Sequence, residues 1–173
     1  MGESFHNMGC ENIAVITMEK GDATADARDA GFDRACDEFG MNRISEVRNN
    51  TLTAEETTKA VENFLASFPE LDGIFVTGGS NTILEGVIQA LALHNKTGEV
   101  KVACIDFISD LDKYIEEGAI DAISGFNCAA CEFSSSQSYD FCSADVFFIP
   151  FGFFCKKNAL SICILGFYSV FLH

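Results

Sequence analysis

Positive charge is scarce in this chain. Eleven Lys and Arg stand against 26 Asp and Glu, a net charge of −15 over 173 residues. No Lys/Arg cluster is available to grip phosphates, and so acidic a surface repels nucleic acid and anionic lipid. A nucleic-acid partner is therefore not expected. Zinc spacing is also missing: Cys128 and Cys131 form a CxxC with no second pair and no suitably spaced His. The eight Cys do not form a regular framework, since only Cys10, Cys36 and Cys104 lie in residues 1–125. Residues 1–12 show neither a basic n-region nor an apolar h-region. That leaves a cytoplasmic mature protein, or an N-terminus lying elsewhere, as the two expectations. The apolar run Ala159–Leu172 has 14 residues, too short to cross a bilayer alone, so no stable membrane span is expected.

Catalytic signatures are missing too. No Ser sits in GxSxG, no P-loop lysine follows a Gly-rich turn, and no nucleophile–base pair stands out. His6 and His94 fall away from the strand ends read below, and His173 is the last residue. These absences favour binding over catalysis. The expectation is no enzyme activity, no metal and no cofactor.

What the sequence does hold, over residues 13–125, is one repeating rhythm. Five runs rich in β-branched residues read as strands: Ile13–Thr17, Ile44–Arg48, Gly73–Thr77, Val100–Ile105 and Ile120–Ser124. Helical segments separate them, at intervals that suit βαβ units. Arg28, Phe32, Ala35, Cys36 and Phe39 make one stripe at helical spacing. Ala60, Val61, Phe64, Leu65 and Phe68 make a second, and Ile83, Leu84, Val87, Ile88 and Leu91 a third. Thr53 with Glu56 reads as a capping box, and Gly40 and Gly118 as C-terminal caps. Residues 2–10 read as the end of a helix feeding the first strand. Buried strands alternating with amphipathic helices predict an α/β fold, a three-layer α/β/α sandwich on a mainly parallel sheet of about five strands.

Residues 126–173 differ in kind. They hold ten of the 17 Phe and five of the eight Cys, and neither period 2 nor period 3.6 persists. The expected organisation is a solute-binding lobe over residues 1–125 and an atypical tail over 126–173. A misread frame or foreign appendage best fits the tail's composition. A membrane-seeking tail and a packed extra element are the alternatives.

In an open parallel sheet, ligands bind beyond the carboxyl ends of the strands. Asp106 follows the fourth strand there, where a carboxylate can accept two hydrogen bonds from a polyhydroxyl ligand or simply cap the next helix. Arg28 lies a turn into the first helix of the repeat, where its fork can reach over the strand ends; the plainer alternative is a surface ion pair with Asp26 or Asp29. "TGGSNT" (Thr77–Thr82) offers two glycines, a helix start and the side chains of Ser80 and Asn81, or is a plain tight turn. Asn49 and Asn50 end the second strand and suit either a ligand contact or a local turn. Phe107 can stack on a sugar face or pack beneath its loop.

Three stretches resemble a known family: "NIAVITMEKGDATADARDAGFDRACDEFG", "FPELDGIFVTGGSNTILEGVIQAL" and "KVACIDFISDLDKYIEEGAIDAISG". Together they resemble the second lobe of type I periplasmic solute-binding proteins, the ribose/galactose-binding relatives. That fold is shared with the effector domains of lac-repressor-type regulators. The carriers are R-x-x-G-F at Arg28–Phe32, "PELDGIF", and the strand ending at Asp106 before "EGAIDAISG". The resemblance implies capture of a small sugar-like solute for an ABC permease, in the periplasm or cell envelope, with Arg28 and Asp106 on the sugar hydroxyls. Asn81, Asn50 and Phe107 complete the expected ligand-binding set. A full member has two lobes hinged around the ligand and is nearly twice as long, so this chain is expected to carry one lobe. The alternative is the effector-sensing domain of a transcription regulator.

Overall fold

A computed structural model describes residues 1–48, 53–78, 81–105 and 111–124, with the side chains of residues 111 and 112 left aside. Its elements alternate as the periodicity requires: α1 (Gly2–Asn7), β1 (Asn12–Thr17), α2 (Ala23–Phe39), β2 (Asn42–Arg48), α3 (Ala54–Ser67), β3 (Gly73–Val76), α4 (Asn81–Leu93), β4 (Lys101–Ile105), α5 (Leu111–Glu116) and β5 (Ala122–Ser124). The strands form one sheet in the order β2-β1-β3-β4-β5. Every neighbouring pair is parallel.

Alternation along the strands sorts the core into two layers. Ala14 and Ile16 of β1, Ile74 and Val76 of β3, and Val102 and Cys104 of β4 face α3 and α4, where Val61, Phe64, Leu84 and Val87 meet them. Ile13, Val15, Phe75 and Ala103 face the other way, onto Phe5 of α1 and Phe32 and Cys36 of α2. Three rings anchor that second layer, with Phe32 and Phe75 4.6 Å apart and Phe5 set edge-on to both at 5.9 and 6.0 Å. Edge-to-face geometry suits their quadrupoles, adding about 0.5–1.5 kcal/mol per pair beyond burial.

The helix ends follow the sequence closely. Thr53 and Glu56 form the complete capping box. Gly40 ends α2 in the left-handed region at φ 69°, where a side chain would be strained. Asp22 caps α2 through the Thr24 and Ala25 N–H groups, 2.9 Å each.

The strand bounds differ from the sequence reading by one or two residues, and β5 and β2 differ most. β5 is confined to Ala122–Ser124, because Asp121 uses its carboxylate and N–H to bind β4 just before pairing begins. β2 is a half-buried edge strand with Arg43, Ser45, Glu46 and Arg48 along it, rather than an apolar interior ribbon.

The amino ends of the strands share one device. Asp72, just before β3, accepts the Glu11 and Asn12 N–H groups at 2.8 and 2.9 Å. Asp121, just before β5, accepts the Val102 N–H at 2.9 Å and the Lys101 ammonium at 3.2 Å. Each carboxylate satisfies backbone donors of the neighbouring strand that would otherwise start the ladder unpaired.

Candidate functional site

The strand order reverses direction around β1, which is flanked by β2 on one side and β3 on the other. Such a switch point opens a crevice at the carboxyl ends of the two strands that part there, here β1 and β3. β1 ends at Thr17, and Thr77 follows β3. The Thr77 N–H donates to the Ile16 carbonyl at 3.0 Å, so the two ends stay together as far as these threonines.

α2 brings Arg28 to this place. Its N-terminal cap starts the helix at Ala23, and Ala25, Phe32 and Cys36 seat it on the sheet. Arg28 is half-buried, and its Nη1 donates to the Thr77 carbonyl at 2.6 Å. A Cβ built on Gly78 would lie only 2.6 Å from that same nitrogen, with the Met18 thioether next nearest. Glycine at position 78 therefore makes room for the guanidinium. Arg28 thus makes a contact across the top of the sheet, 49 residues away in sequence.

Asp29 is a buried carboxylate beside this place that the helical spacing did not single out. It is buried at 6 % exposure, although the helical stripe placed its neighbour Arg28 on the covered side. Its Oδ1 accepts the Thr17 hydroxyl at 3.1 Å. Its Oδ2 stands 2.7 Å from Arg48 Nη1, an ion contact off the line of a hydrogen bond. Arg43 Nη2 lies 3.7 Å from the other oxygen, Oδ1. Glu46 completes this corner, with Oε1 2.8 Å from Arg48 Nε and Oε2 2.6 Å from Arg43 Nη2. The Arg48 hydrogen bond, aided by the charges of Arg43 and Arg48, holds the Glu46 carboxyl below its ordinary pKa. The same Glu46 bond raises Arg48. A signal for this corner existed in the sequence: an acidic residue beside the stripe, and two arginines on a strand that parallel pairing makes an edge.

Of the other sequence-predicted residues, Asn81 is the first residue of α4 and is half-buried. It closes the loop whose beginning, Thr77–Gly78, meets Arg28. Asp106, Asn50 and Phe107 lie outside the described residues. β4 runs to Ile105, the residue before Asp106.

Among the described residues, no group of three or more His, Cys, Asp or Glu could hold a metal ion, and no helix is long and apolar enough to cross a membrane.

No curated protein matches the chain by sequence. Solved structures do match its fold. A periplasmic ribose ABC transporter protein from Conexibacter woesei superposes with a TM-score of 0.64 at 16% identity, covering 72% of this chain and 42% of that one. A glucose-galactose binding protein from Geobacillus stearothermophilus gives 0.63 at 17% identity, covering 72% and 44%. A sugar-binding ABC transporter protein from Bacillus halodurans gives 0.62 at 23% identity, covering 71% and 42%. The chain thus spans less than half the length of these structures. A sequence model described as "Periplasmic binding protein domain" matches residues 1–134. With that span and a parallel sheet of matching fold, the chain belongs to the periplasmic binding protein domain family.

Proposed function

We propose that this chain contributes one jaw of a site for a small sugar-like solute, as part of a substrate-binding protein serving an ABC permease in the periplasm or cell envelope. The observation that carries the reading is Arg28, whose guanidinium is held at the β1/β3 switch point by the Thr77 carbonyl. A fork of donors at that point suits hydroxyl oxygens, and its positive charge is always present. Asp106, directly after β4, supplies the complementary acceptor, and a carboxylate between two hydroxyls makes charge-assisted hydrogen bonds. Asn81, Asn50 and Phe107 contribute polar contacts and a ring for the apolar sugar face. The structural neighbours are named as sugar-binding and ABC transporter proteins, which favours solute capture over effector sensing. Binding without catalysis fits the family and the missing nucleophile–base pair.

The chain covers 42–44% of the structures quoted, and enclosure between two lobes supplies contacts from both sides. One jaw retains part of the contacts, while the association cost of roughly 4–15 kcal/mol stays whole. Millimolar affinity or weaker is therefore expected from this chain. Calorimetry with ribose, galactose, xylose and inositol tests this. Micromolar affinity for any of them overturns the one-jaw reading. Weak binding detected by NMR that survives both Arg28→Ala and Asp106→Ala overturns the site.

A further inference from the structure

Consecutive residues of α2 hold Thr77 in two different ways. Arg28 donates to its main-chain carbonyl at 2.6 Å. Asp29 reaches its hydroxyl through a relay: Thr77 Oγ1 donates to Thr17 Oγ1 at 2.8 Å, and Thr17 Oγ1 donates to Asp29 Oδ1 at 3.1 Å. Thr17 and Thr77 are 1 % and 0 % exposed. Each hydroxyl has one proton and an ionised carboxylate can only accept, so the relay runs in a single direction, from Thr77 to Asp29. Arg48 stands against the far carboxylate oxygen, and Glu46 orients Arg48.

Packing alone does not call for this relay. Thr17 and Thr77 continue the strand face that carries Val15 and Phe75, and a pair of valines would fill similar space with no polar atoms to satisfy. Three polar side chains in a row at the top of an apolar layer instead fix one geometry, because any rearrangement leaves a buried hydroxyl or carboxylate unpaired. That geometry fixes the first turns of α2 against both strand ends, and with them the starting point of the Arg28 side chain.

We propose that Thr17, Thr77 and Asp29 are positioning residues for Arg28: their buried relay sets where its guanidinium sits over the β1/β3 crevice. The functional weight of that position rests on the ligand reading given above; the relay itself does not. A merely stabilising role would leave the order of the Arg28 side chain untouched, provided the fold persists.

Arginine-selective nitrogen NMR on the full 173-residue chain reads this directly, with the Arg28 Nε–H assigned through Arg28→Lys. The Arg28 signal is expected to be rigid in the parent chain. In Thr17→Val its order parameter falls below about 0.6, the flexible range, and Thr17→Ser restores it. Urea unfolding midpoints of the same samples separate loss of order from loss of fold. Thr77→Val cuts the relay at its other end and gives the same reading should Thr17→Val not fold. An Arg28 signal as rigid in the folded valine variants as in the parent overturns the proposal, as does failure of Thr17→Ser to restore it. D-Ribose and D-galactose, added at tens of millimolar, test the ligand reading separately. A relay-dependent Arg28 signal that neither sugar moves keeps the positioning role and removes D-ribose and D-galactose as ligands of this jaw.

Discussion

Arg28 and Thr77 are 49 residues apart in sequence and 2.6 Å apart through a guanidinium–carbonyl hydrogen bond. Gly78 sits against that bond, since a Cβ there would lie 2.6 Å from Arg28 Nη1 and 3.5 Å from the Met18 methyl. Gly78→Ala is expected to push the guanidinium aside while the fold stays intact. The obstructed atom is the end of a flexible side chain, so the stability change stays within about 1 kcal/mol. Weak sugar binding followed by NMR, beside a urea melt, checks both halves. Unchanged binding with a displaced Arg28 removes Arg28 from the site.

Gly86→Ala is expected to destabilise the chain even though alanine favours helices by about 1 kcal/mol. In the middle of α4 a Cβ would stand 2.5 Å from Thr57 Cβ and 2.6 Å from the Ala54 carbonyl, both in α3. Thr58 Oγ1 already reaches the Gly86 carbonyl at 3.2 Å, so the helices touch there through backbone. Overpacking of this kind costs about 1–3 kcal/mol and outweighs the propensity gain. A lower denaturant midpoint is the expected result; a higher one shows that α3 and α4 can separate at little cost.

Asp72→Ala removes the acceptor of two backbone N–H groups at once. The Glu11 donor is exposed and can turn to water, whereas the Asn12 donor is partly buried. The expected loss is about 1–3 kcal/mol, with Asp72→Asn milder because one carbonyl oxygen remains. Equal losses from the two variants would point to charge rather than to the backbone bonds.

Acid pH is expected to loosen the β2 corner through Glu46. Its carboxyl is held below the ordinary value by Arg48, so folding favours the ionised form. That contribution is complete above the unfolded pKa of about 4.3 and fades as pH falls through the lower folded value. Glu46→Gln should flatten the stability profile below about pH 4.5 and leave the profile's shape near neutrality unchanged. An acid limb of the same slope in parent and variant removes Glu46 as a contributor.

Cys10 and Cys36 are expected to resist alkylation in the folded chain. Burial pushes Cys10 up to about 12, with Asp72 adding to it, and Cys36 up to about 11, with Asp33 adding to it. Both are buried free thiols, and the thiolate is the reactive form. These raised values also predict falling stability as pH rises past about 9, where the unfolded thiols ionise and the folded ones do not. Peptide mapping after iodoacetamide at pH 8 should show Cys10 and Cys36 modified far more slowly than in urea. Equal rates in the two conditions would mean that this layer opens readily.

Much of the architecture could be read before any coordinates. Thr53 and Glu56 form the box their spacing announced, Gly40 takes the left-handed turn, and the Val61 and Leu84 stripes are the ones that cover the sheet. Caps, stripes and strand runs are local: each depends on residues within a few positions, so the chain states them in order. The periodicity was less informative at α2, where Asp29 is more deeply buried than Arg28 beside it. A stripe predicts which side of a helix is covered by apolar atoms. It does not predict that a carboxylate will be covered because two arginines and a threonine wait for it.

The sequence by itself determined the alternation of strands and helices, the helix ends and the apolar layers, because short-range sterics, capping and periodicity act within one segment. The tertiary structure decided that β1 lies between β2 and β3, and that order alone brings Thr17, Asp29, Arg48 and Thr77 together. Parallel pairing joins segments tens of residues apart, and which ribbon lies beside which depends on the packing of whole helices rather than on any spacing in the chain.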